Sequence, residues 1–482
     1  MQRRDFLKST TVGAGSIAGL CALDMFSAFD AVAVTTSFGM GIEEGNYHLD
    51  LLREKNLEPA VRQEILAEPR AVFLIRTHVN ARKDENGFYT EAVDQLREEG
   101  TRCAKLLFAK GARRGGTTFI KANFTSVPEF RFNRTNGVLT SPDFCVGVVQ
   151  YLRDLGNQAI AFGETPINAV NHRQTGIYDA FDPYNILMIE GGYQDWKNYR
   201  KNELNFADVE GSLIWKKIPY YRPIMDKDNF LINIATLKSH LTALTTLTVK
   251  NVQGCVPKGL GQFCNSALDI MDYAEAQEYE YTDYFRKDYF PAIERSFLSH
   301  RAICYKYWEQ SRDQFGDYDR FRALGGWERY LKIRKDLQAR MEFKREAGAI
   351  MRQEMWIHRG LDNIATLKPR LNVIAGIIGM DGNEHGWWKI GEDRLVNIVI
   401  AGVSPIEVDA VGSYVMGHDP REIWYLRAAK ERGLGESDIN KIAMYWLDEN
   451  GIEPIGSPAE LTREPLGVNW ARENDPTERL FW

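Results

Sequence analysis

The chain has 482 residues, of which 44% are hydrophobic and 26% are charged, a composition typical of ordinary globular proteins. This balance excludes a disordered, collagen-like or disulfide-scaffold chain, and the length predicts about three domains or one large α/β domain with an insertion. Because 60 Lys and Arg stand against 66 Asp and Glu, the net charge of −6 argues against nucleic acid as a partner.

The N-terminal segment carries an export pattern. Arg3 and Arg4 precede an uncharged run from Ser9 to Leu23, which is typical of a twin-arginine (Tat) signal peptide. The run is shorter than the roughly 20 apolar residues of a membrane span, and small residues before and at Ala33 provide a cleavage site. We therefore expect recognition by the twin-arginine export machinery, cleavage after Ala33, no stable membrane anchor and a periplasmic or secreted protein. An amphipathic helix of the mature fold is the alternative, and it does not explain the paired arginines.

Short apolar runs alternate with helical segments further along the chain. The runs Ala71 to Arg76 and Thr117 to Asn123 flank a segment of helical spacing from Glu91 to Lys110, which predicts a β-α-β unit. A helix that opens at Ser141-Pro142 and stops at Gly156, followed by a strand at 159–163, repeats this pattern. The order predicts an α/β fold whose mainly parallel sheet is covered by helices. Further buried strands are predicted at 186–189, 230–235, 371–378 and 395–401.

Residues 274–368 differ from the rest of the chain. They are rich in Tyr, Trp, Arg and Glu at helical spacing, which predicts a helical insertion or cap whose aromatic side chains fill a core. The predicted organisation is a signal peptide at 1–33, the first part of the α/β core at 34–273, the insertion, and the second part of the core with the C-terminal tail at 369–482. The tail after Trp446 contains several prolines and is expected to form an ordered, irregular wrap.

Polar side chains follow several of the predicted strands. Because ligands in open α/β sheets bind beyond the carboxyl ends of the strands, we expect these side chains to gather along one rim. They are Lys121, Asn123, Glu164, Lys238, His240 and Asp381.

Several segments resemble a known protein family. Ile120-Lys121-Ala122-Asn123, Leu237-Lys238-Ser239-His240 and Lys250-Asn251-Val252-Gln253-Gly254 are followed by Gly379-Met380-Asp381-Gly382 and by Ser404-Pro405 with Asp409. In this order the chain resembles the family called domain of unknown function 362. The resemblance implies an α/β fold and, in many relatives, fused ferredoxin-type Cys clusters, for which this chain has no Cys motif. It implies no particular reaction.

The predicted rim combines amines, amides and acids. Lysines offer positive charge to a carboxylate or phosphate, asparagines orient a ligand, and glycine loops let backbone N–H groups approach it. We predict one cleft in which Lys238, His240, Lys250 and Asp381 are catalytic. The predicted ligand-binding residues of this cleft are Lys121, Asn123, Asn251, Gly254, Gly382 and Asp409.

Each of these assignments has a structural alternative. The lysines are equally compatible with salt bridges to nearby acids, and Asp409 is compatible with capping a helix or pairing with a lysine. Lys250 is flanked by apolar residues, so we expect it to be partly buried, with its ammonium directed at a ligand anion or at an acid such as Asp381.

Metal and cysteine chemistry are weakly indicated. The acids and histidines of the rim, including His385, have ligand atoms but no spacing that fixes a metal, so the metal and the cofactor stay unknown. A metal or a redox cofactor is compatible with the rim. Cys255 and Cys264 favour a disulfide or free thiols over an iron–sulfur site, because no third and fourth Cys stand at cluster spacing.

Two functional classes follow from these residues. The first is a periplasmic enzyme that binds an anionic small molecule, or a redox or metal cofactor, in a Lys/Asn/Asp cleft. The alternative is a non-catalytic periplasmic module that binds a ligand or a redox partner. Convergent Lys, Asn and acid residues favour the enzyme, because a pure binding site has less need of carboxylates beside amines.

Overall fold

The computed structural model describes residues 42–85, 89–90, 92–125, 134–164, 174–184, 186–190, 203–212, 215–225, 229–240, 243–257, 260, 282–289, 291–292, 357–382 and 391–468. The predicted signal peptide and most of the predicted insertion lie outside these residues. The same holds for His385 and Cys264.

A ten-stranded sheet runs through the described part of the chain, in the order β14-β13-β2-β12-β11-β9-β4-β5-β6, with β10 paired to β9. Two smaller antiparallel pairs are formed by β1 with β3 and by β7 with β8. The strands are β1 (Leu57–Val61), β2 (Val72–Arg76), β3 (Phe108–Arg114), β4 (Thr118–Ala122), β5 (Ile160–Glu164), β6 (Leu187–Glu190), β7 (Leu204–Asp208), β8 (Lys217–Tyr221), β9 (Phe230–His240), β10 (Leu244–Thr246), β11 (Leu371–Asp381), β12 (Glu392–Gly402), β13 (Met444–Asp448) and β14 (Gly451–Pro454).

The sheet has a parallel half and a mixed half. Strands β6, β5, β4, β9 and β11 run parallel, whereas β12 is antiparallel to both of its neighbours, β11 and β2. Strand β13 returns parallel to β2, and β14 closes a hairpin with it. The α/β fold with a mainly parallel sheet is thus confirmed, and the carboxyl ends of β4 and β5 lie side by side, next to the middle of β9.

Helices cover both faces of the sheet. Helices α3 and α4 pack on the face that contains Phe73, Ile120 and Ile232, which we call the α3 face. Helices α7, α9, α10 and α11 pack on the face that contains Leu74 and Phe119, which we call the α7 face. The helices are α1 (Ile42–Arg53), α2 (Gln63–Ala67), α3 (Val93–Leu107), α4 (Pro142–Asp154), α5 (Ile177–Phe181), α6 (Arg222–Met225), α7 (Thr248–Asn251), α8 (Thr282–Tyr284), α9 (Arg359–Leu367), α10 (Pro405–Val415) and α11 (Trp424–Glu431).

The residues at the start and at the end of helix α4 have the roles that the sequence predicts. The Ser141 side chain accepts a hydrogen bond from the Phe144 backbone N–H, and Pro142 occupies the first turn, where a missing N–H costs nothing. The helix stops before Gly156, whose φ of 94° lies in the left-handed region that favours glycine. This helix connects β4 to β5 and so places their carboxyl ends together.

Three expected boundaries were wrong. The predicted helix to Lys110 ends at Leu107, because the chain then pairs as β3 with β1. The strand expected to stop at Ala235 continues to His240, because β10 pairs with its last residues. The tail expected to be irregular contains β13, which includes Trp446, and the adjacent β14, because this hairpin extends the main sheet.

Cys103, Cys145 and Cys255 are buried free thiols. Burial raises the pKa of each thiol, in the case of Cys255 to about 12. Among the described residues no helix is long and apolar enough to span a membrane.

Candidate functional site

Lys121, at the end of β4, forms a buried ion pair with Glu164, the last residue of β5. Lys121 Nζ lies 2.6 Å from Glu164 Oε2, and it also donates to Ala122 O at 2.6 Å and to Asn251 Oδ1 at 3.0 Å. An ammonium has three N–H donors, so every donor of Lys121 is used within the protein. This arrangement compensates for the removal of both charges from water.

Asn251, the last residue of α7, joins this pair to the middle of the sheet. Its Nδ2 donates to Lys121 O and to Asn233 Oδ1, both at 2.8 Å. Asn233 on β9 in turn donates to Asn372 Oδ1 on β11 at 2.9 Å. We call Lys121, Glu164, Asn251, Asn233 and Asn372 the buried polar network. Its continuity satisfies polar groups that would otherwise be costly in the core.

Gly254 packs directly on the ion pair. A Cβ at this position would overlap Glu164 Oε1 and would lie 2.8 Å from Lys121 Cε, so no side chain fits there. Tyr221 donates its hydroxyl to Gly254 O at 3.2 Å. The neighbouring thiol of Cys255 is close enough for Lys121 to lower its pKa and for Glu164 to raise it, although burial dominates. The turn therefore closes the network on the α7 face.

Asn123 follows the end of β4 and keeps one polar atom without a partner. Its backbone exchanges hydrogen bonds with Thr140, and the next residue, Phe124, donates its N–H to Glu164 Oε2 at 3.2 Å. The side-chain Oδ1 of Asn123 is buried and accepts no hydrogen bond from the described residues. A buried unsatisfied acceptor costs about 1–3 kcal/mol, so this oxygen is suited to a donor from a ligand.

Lys250 lies next to Asn251 on α7 but has a different environment. Its side chain is half-buried, as the sequence predicts, and its Nζ lies 3.4 Å from Gln253 Oε1. This distance exceeds the usual range for an N–H···O bond. Within the described part of the chain, Lys250 forms no salt bridge, either with Asp381 or with another acid. Its ammonium thus differs from that of Lys121, which is paired with Glu164.

Asp409, a buried residue of α10, contacts the start of α7. Its Oδ1 accepts from Thr248 N at 2.8 Å and from Thr248 Oγ1 at 2.5 Å, and its Oδ2 accepts from Val249 N at 3.0 Å. Tyr425 on α11 also donates its hydroxyl to Oδ2 at 3.1 Å. Burial raises the pKa of Asp409 to about 6, against the effect of these donors. The helix-cap alternative thus matches the contacts of Asp409.

Lys238 lies within β9 and is almost fully buried. It is in register with Met380 of β11, which belongs to the α3-face core. Asn233, five positions earlier, is in register with Lys121 and contacts α7. Because successive strand residues alternate between faces, Lys238 projects from the face opposite to Lys121 and Asn251.

His240 is the last residue of β9 and shares the face of Lys238. Its Nδ1 lies 3.2 Å from the backbone N of Ala243 and accepts that N–H. Such a bond requires an unprotonated Nδ1, so a neutral ring carries its proton on Nε2. Strand β9 continues past its last pairing with β4, at Ile234, and its last residues pair with β10 and β11.

Asp381 and Gly382 form the end of β11. Asp381 Oδ1 accepts from Gly467 N at 2.6 Å, and its Oδ2 lies 3.9 Å from Arg394. Gly382 has a φ of 91°, which favours glycine, and its carbonyl accepts the Ser239 hydroxyl. Both residues are thus tied to neighbouring chain segments.

The structure therefore brings Lys121, Glu164, Asn251 and Gly254 into direct contact, with Asn123 and Lys250 adjacent in the chain. It places Asp409 at the far end of α7, and Lys238 and His240 on the other face. Over the described residues, no group of three or more His, Cys, Asp or Glu side chains could hold a metal ion.

Asn233, Asn372 and Tyr425 belong to this site but were not predicted. The two asparagines are single polar residues inside apolar strands, FLINIA and LNVIAGII. A polar residue in such a run must find a buried partner, and this signal could have identified both. No comparable signal marks Tyr425, because its contact with Asp409 arises from helix packing.

A comparison with protein families gives one match. The model described as "Domain of unknown function (DUF362)" matches residues 118–414, more than half of the chain. The matched segment begins at the first residue of β4 and ends within α10, and it contains the whole buried polar network. No curated protein and no solved structure matches the chain.

Proposed function

Since the chain belongs to the domain of unknown function 362 family, whose description names no reaction, we propose a function from the site itself. The protein is an exported enzyme that binds an anionic small molecule beside α7, at the carboxyl ends of β4 and β5. Lys250 supplies the charge that attracts the ligand, and the buried polar network forms a rigid base for the binding site.

The environment of Lys250 carries this proposal. Lys121 is neutralised by Glu164 and has no donor left, whereas the ammonium of Lys250 has one long contact with the described residues, to Gln253. Partial burial lowers the effective dielectric around such a charge and strengthens its attraction to an anion. Asn123 Oδ1 adds an acceptor close to the same network. A ligand with both a negative group and a hydrogen-bond donor suits this pair.

The chemistry that we assign to the site is proton transfer by His240. The imidazole is the proton-exchanging group, and the Ala243 N–H, which Nδ1 accepts, orients the ring. The extension of β9 past its last pairing with β4 supports a location of His240 at the rim of the sheet.

One observation favours a binding module as the second candidate. The carboxylates of Glu164 and Asp409 accept hydrogen bonds from protein donors, so neither is oriented to accept a proton from a ligand as a general base. The two candidates differ in what happens to the bound compound. Recovery of an unchanged ligand after prolonged incubation supports the module, and appearance of a product supports the enzyme.

Anion binding is tested with inorganic sulfate, phosphate and citrate, by titration calorimetry on the wild type. Lys250→Met should weaken binding by about tenfold or more, a loss of about 1.4 kcal/mol. Lys105→Met, at an exposed lysine of α3, removes the same charge and should leave binding unchanged. Equal affinities for the wild type and Lys250→Met would refute the assignment of Lys250.

Cofactor content is tested separately. Metal analysis and absorption spectra of the protein, purified from cells with an intact export route, distinguish a metal, a redox cofactor and neither. Small molecules that co-purify with the wild type but not with Lys250→Met identify the ligand class.

Export rests on the sequence pattern at Arg3 and Arg4. Replacement of both by Lys should retain the protein in the cytoplasm, and N-terminal sequencing of the exported wild type should begin at Val34. Continued export of the Lys variant would show that the pair is not recognised as a twin-arginine signal.

A further inference from the structure

We infer that Asp409 is a positioning residue, which fixes the first turn of α7 and thereby holds Lys250 at the ligand site. This inference rests on the proposed function of Lys250. It assigns to Asp409 a role through another residue, without contact with the ligand.

Helix α7 needs an anchor because it is short. A helix of one turn, Thr248–Asn251, is not stable alone, and its first N–H groups have no partner within the helix. Asp409 accepts two of these N–H groups, from Thr248 and Val249, and it also accepts the Thr248 hydroxyl. One carboxylate on a distant part of the chain therefore fixes both the position and the direction of the helix start.

The other end of α7 is fixed by the buried polar network. Asn251 binds Lys121 and Asn233, and between the two ends the side chain of Val249 is fully buried against Gly360 of α9. Lys250 is thus the one residue of α7 whose side chain is not held by the core. Its direction is set by a helix that cannot rotate while both ends remain bound.

The contacts of Asp409 exclude it from direct ligand binding in this arrangement. Each oxygen accepts two hydrogen bonds, and the carboxylate is fully buried. Tyr425, which supplies the fourth bond, also contacts Thr245 of β10. Asp409 is therefore held in place by α11 and β10 while it holds α7.

The test compares Asp409→Asn with Tyr425→Phe. In Asp409→Asn an NH2 group replaces one acceptor oxygen, so one of the two N–H groups of α7 faces a donor, whereas Tyr425→Phe removes one contact of Asp409 and leaves both N–H bonds intact. Asp409→Glu keeps the carboxylate and serves as the rescue variant. Thr248→Val loses the hydroxyl contacts with Asp409 and with Pro405 O but keeps both N–H bonds, so it is a milder change if Asp409→Asn does not fold.

Two readouts separate positioning from stability. The first is acylation of the Lys250 amine by an amine-reactive reagent without ligand, measured by mass spectrometry relative to Lys105. The second is sulfate affinity by calorimetry. In folded Asp409→Asn, we expect the acylation ratio to change about threefold and sulfate affinity to fall about tenfold, since one such hydrogen bond corresponds to changes of this size. Asp409→Glu should recover part of both, Tyr425→Phe should change both less than Asp409→Asn does, and Thr248→Val should shift the ratio in the same direction.

The outcomes distinguish this inference from the proposed function. Unchanged acylation and unchanged sulfate affinity in folded Asp409→Asn overturn the positioning role, and so does an unchanged acylation ratio in Thr248→Val. If the acylation ratio changes but the wild type binds no sulfate, phosphate or citrate, the positioning role stands and the proposed anion site fails.

Discussion

Lys121 and Lys250 lie on the same face of the sheet and are connected through Asn251, yet their environments differ. Lys121 is fully buried, and each of its donors has a partner within 3.0 Å. Lys250 is half-buried, and in the part of the chain that the structure describes it has one long contact, to Gln253. Both belong to the motifs that resemble the family, so motif membership alone does not distinguish a structural lysine from a ligand-binding one. The number and length of their contacts do.

The largest expected effect follows removal of the buried charge. Lys121→Met leaves the Glu164 carboxylate buried without its cation, and breaking a buried pair in this way costs about 3–5 kcal/mol. Chemical denaturation of this variant beside Lys250→Met measures the difference. Similar stabilities of the two variants would remove the distinction between the two lysines.

The next largest effect is expected at Asp409, which anchors the start of α7. The free energy of unfolding should depend on pH through this residue. The pKa of folded Asp409 is about 6, above its ordinary value of 3.8, so the folded state binds this proton more tightly than the unfolded chain. Its stabilising contribution is therefore complete below pH 3.8 and is lost as the pH rises through 6. The loss is on the order of 3 kcal/mol.

The measurement is the unfolding free energy of the wild type minus that of Asp409→Asn, between pH 3.5 and 7. The subtraction removes the contributions of the exposed carboxylates that both proteins share. We expect this difference to decrease with rising pH, and a constant or rising difference would contradict the assigned direction.

A smaller effect is expected at Gly254, which closes the network around Lys121. Gly254→Ala introduces a Cβ that overlaps Glu164 Oε1, and overpacking of this kind costs about 1–3 kcal/mol. Gly360→Ala is the control, because its Cβ would meet Val249 at an ordinary 3.4 Å and alanine favours the helix by up to about 1 kcal/mol. If thermal unfolding shows Gly254→Ala to be as stable as this control, the network is less tightly packed than its contacts indicate.

The smallest stability change is expected for Lys250→Met. Because its ammonium has no close partner among the described residues, its removal strands no charge, and we expect a change within about 1 kcal/mol. Anion affinity should nevertheless fall. A large loss of stability with retained anion binding would show that Lys250, like Lys121, has a structural role.

The fold was predictable where strands are buried on both faces. Strands β4, β5 and β11 are buried and mostly apolar, and their predicted starts and ends lie within a few residues of the observed ones. Strands β3 and β14 are largely exposed, so they lack this pattern, and β3 directly continues a helix. The antiparallel direction of β12 depends on its neighbours in space, which a local pattern does not encode.

The candidate site was predictable in its residue types and only in part in its geometry. The expectation that polar residues follow strand ends holds for Glu164 and Asn123, at the ends of β5 and β4. Lys238 and His240 were expected after a strand because the apolar run stops at Ala235. The strand continues with polar residues, since pairing with β10 supplies its hydrogen bonds, and this continuation determines which face each side chain occupies.

The three buried thiols can be used to measure local opening of the structure around each of them. Only a thiolate reacts rapidly with alkylating reagents, and burial suppresses that form at Cys103 on α3, at Cys145 on α4 and at Cys255 beside the Lys121 ion pair. Each thiol reacts when the packing around it opens, so three alkylation rates under native conditions give three separate opening free energies. Slower modification of Cys255 in the presence of an anion would show, without an engineered label, that ligand binding at the rim tightens the core beneath it.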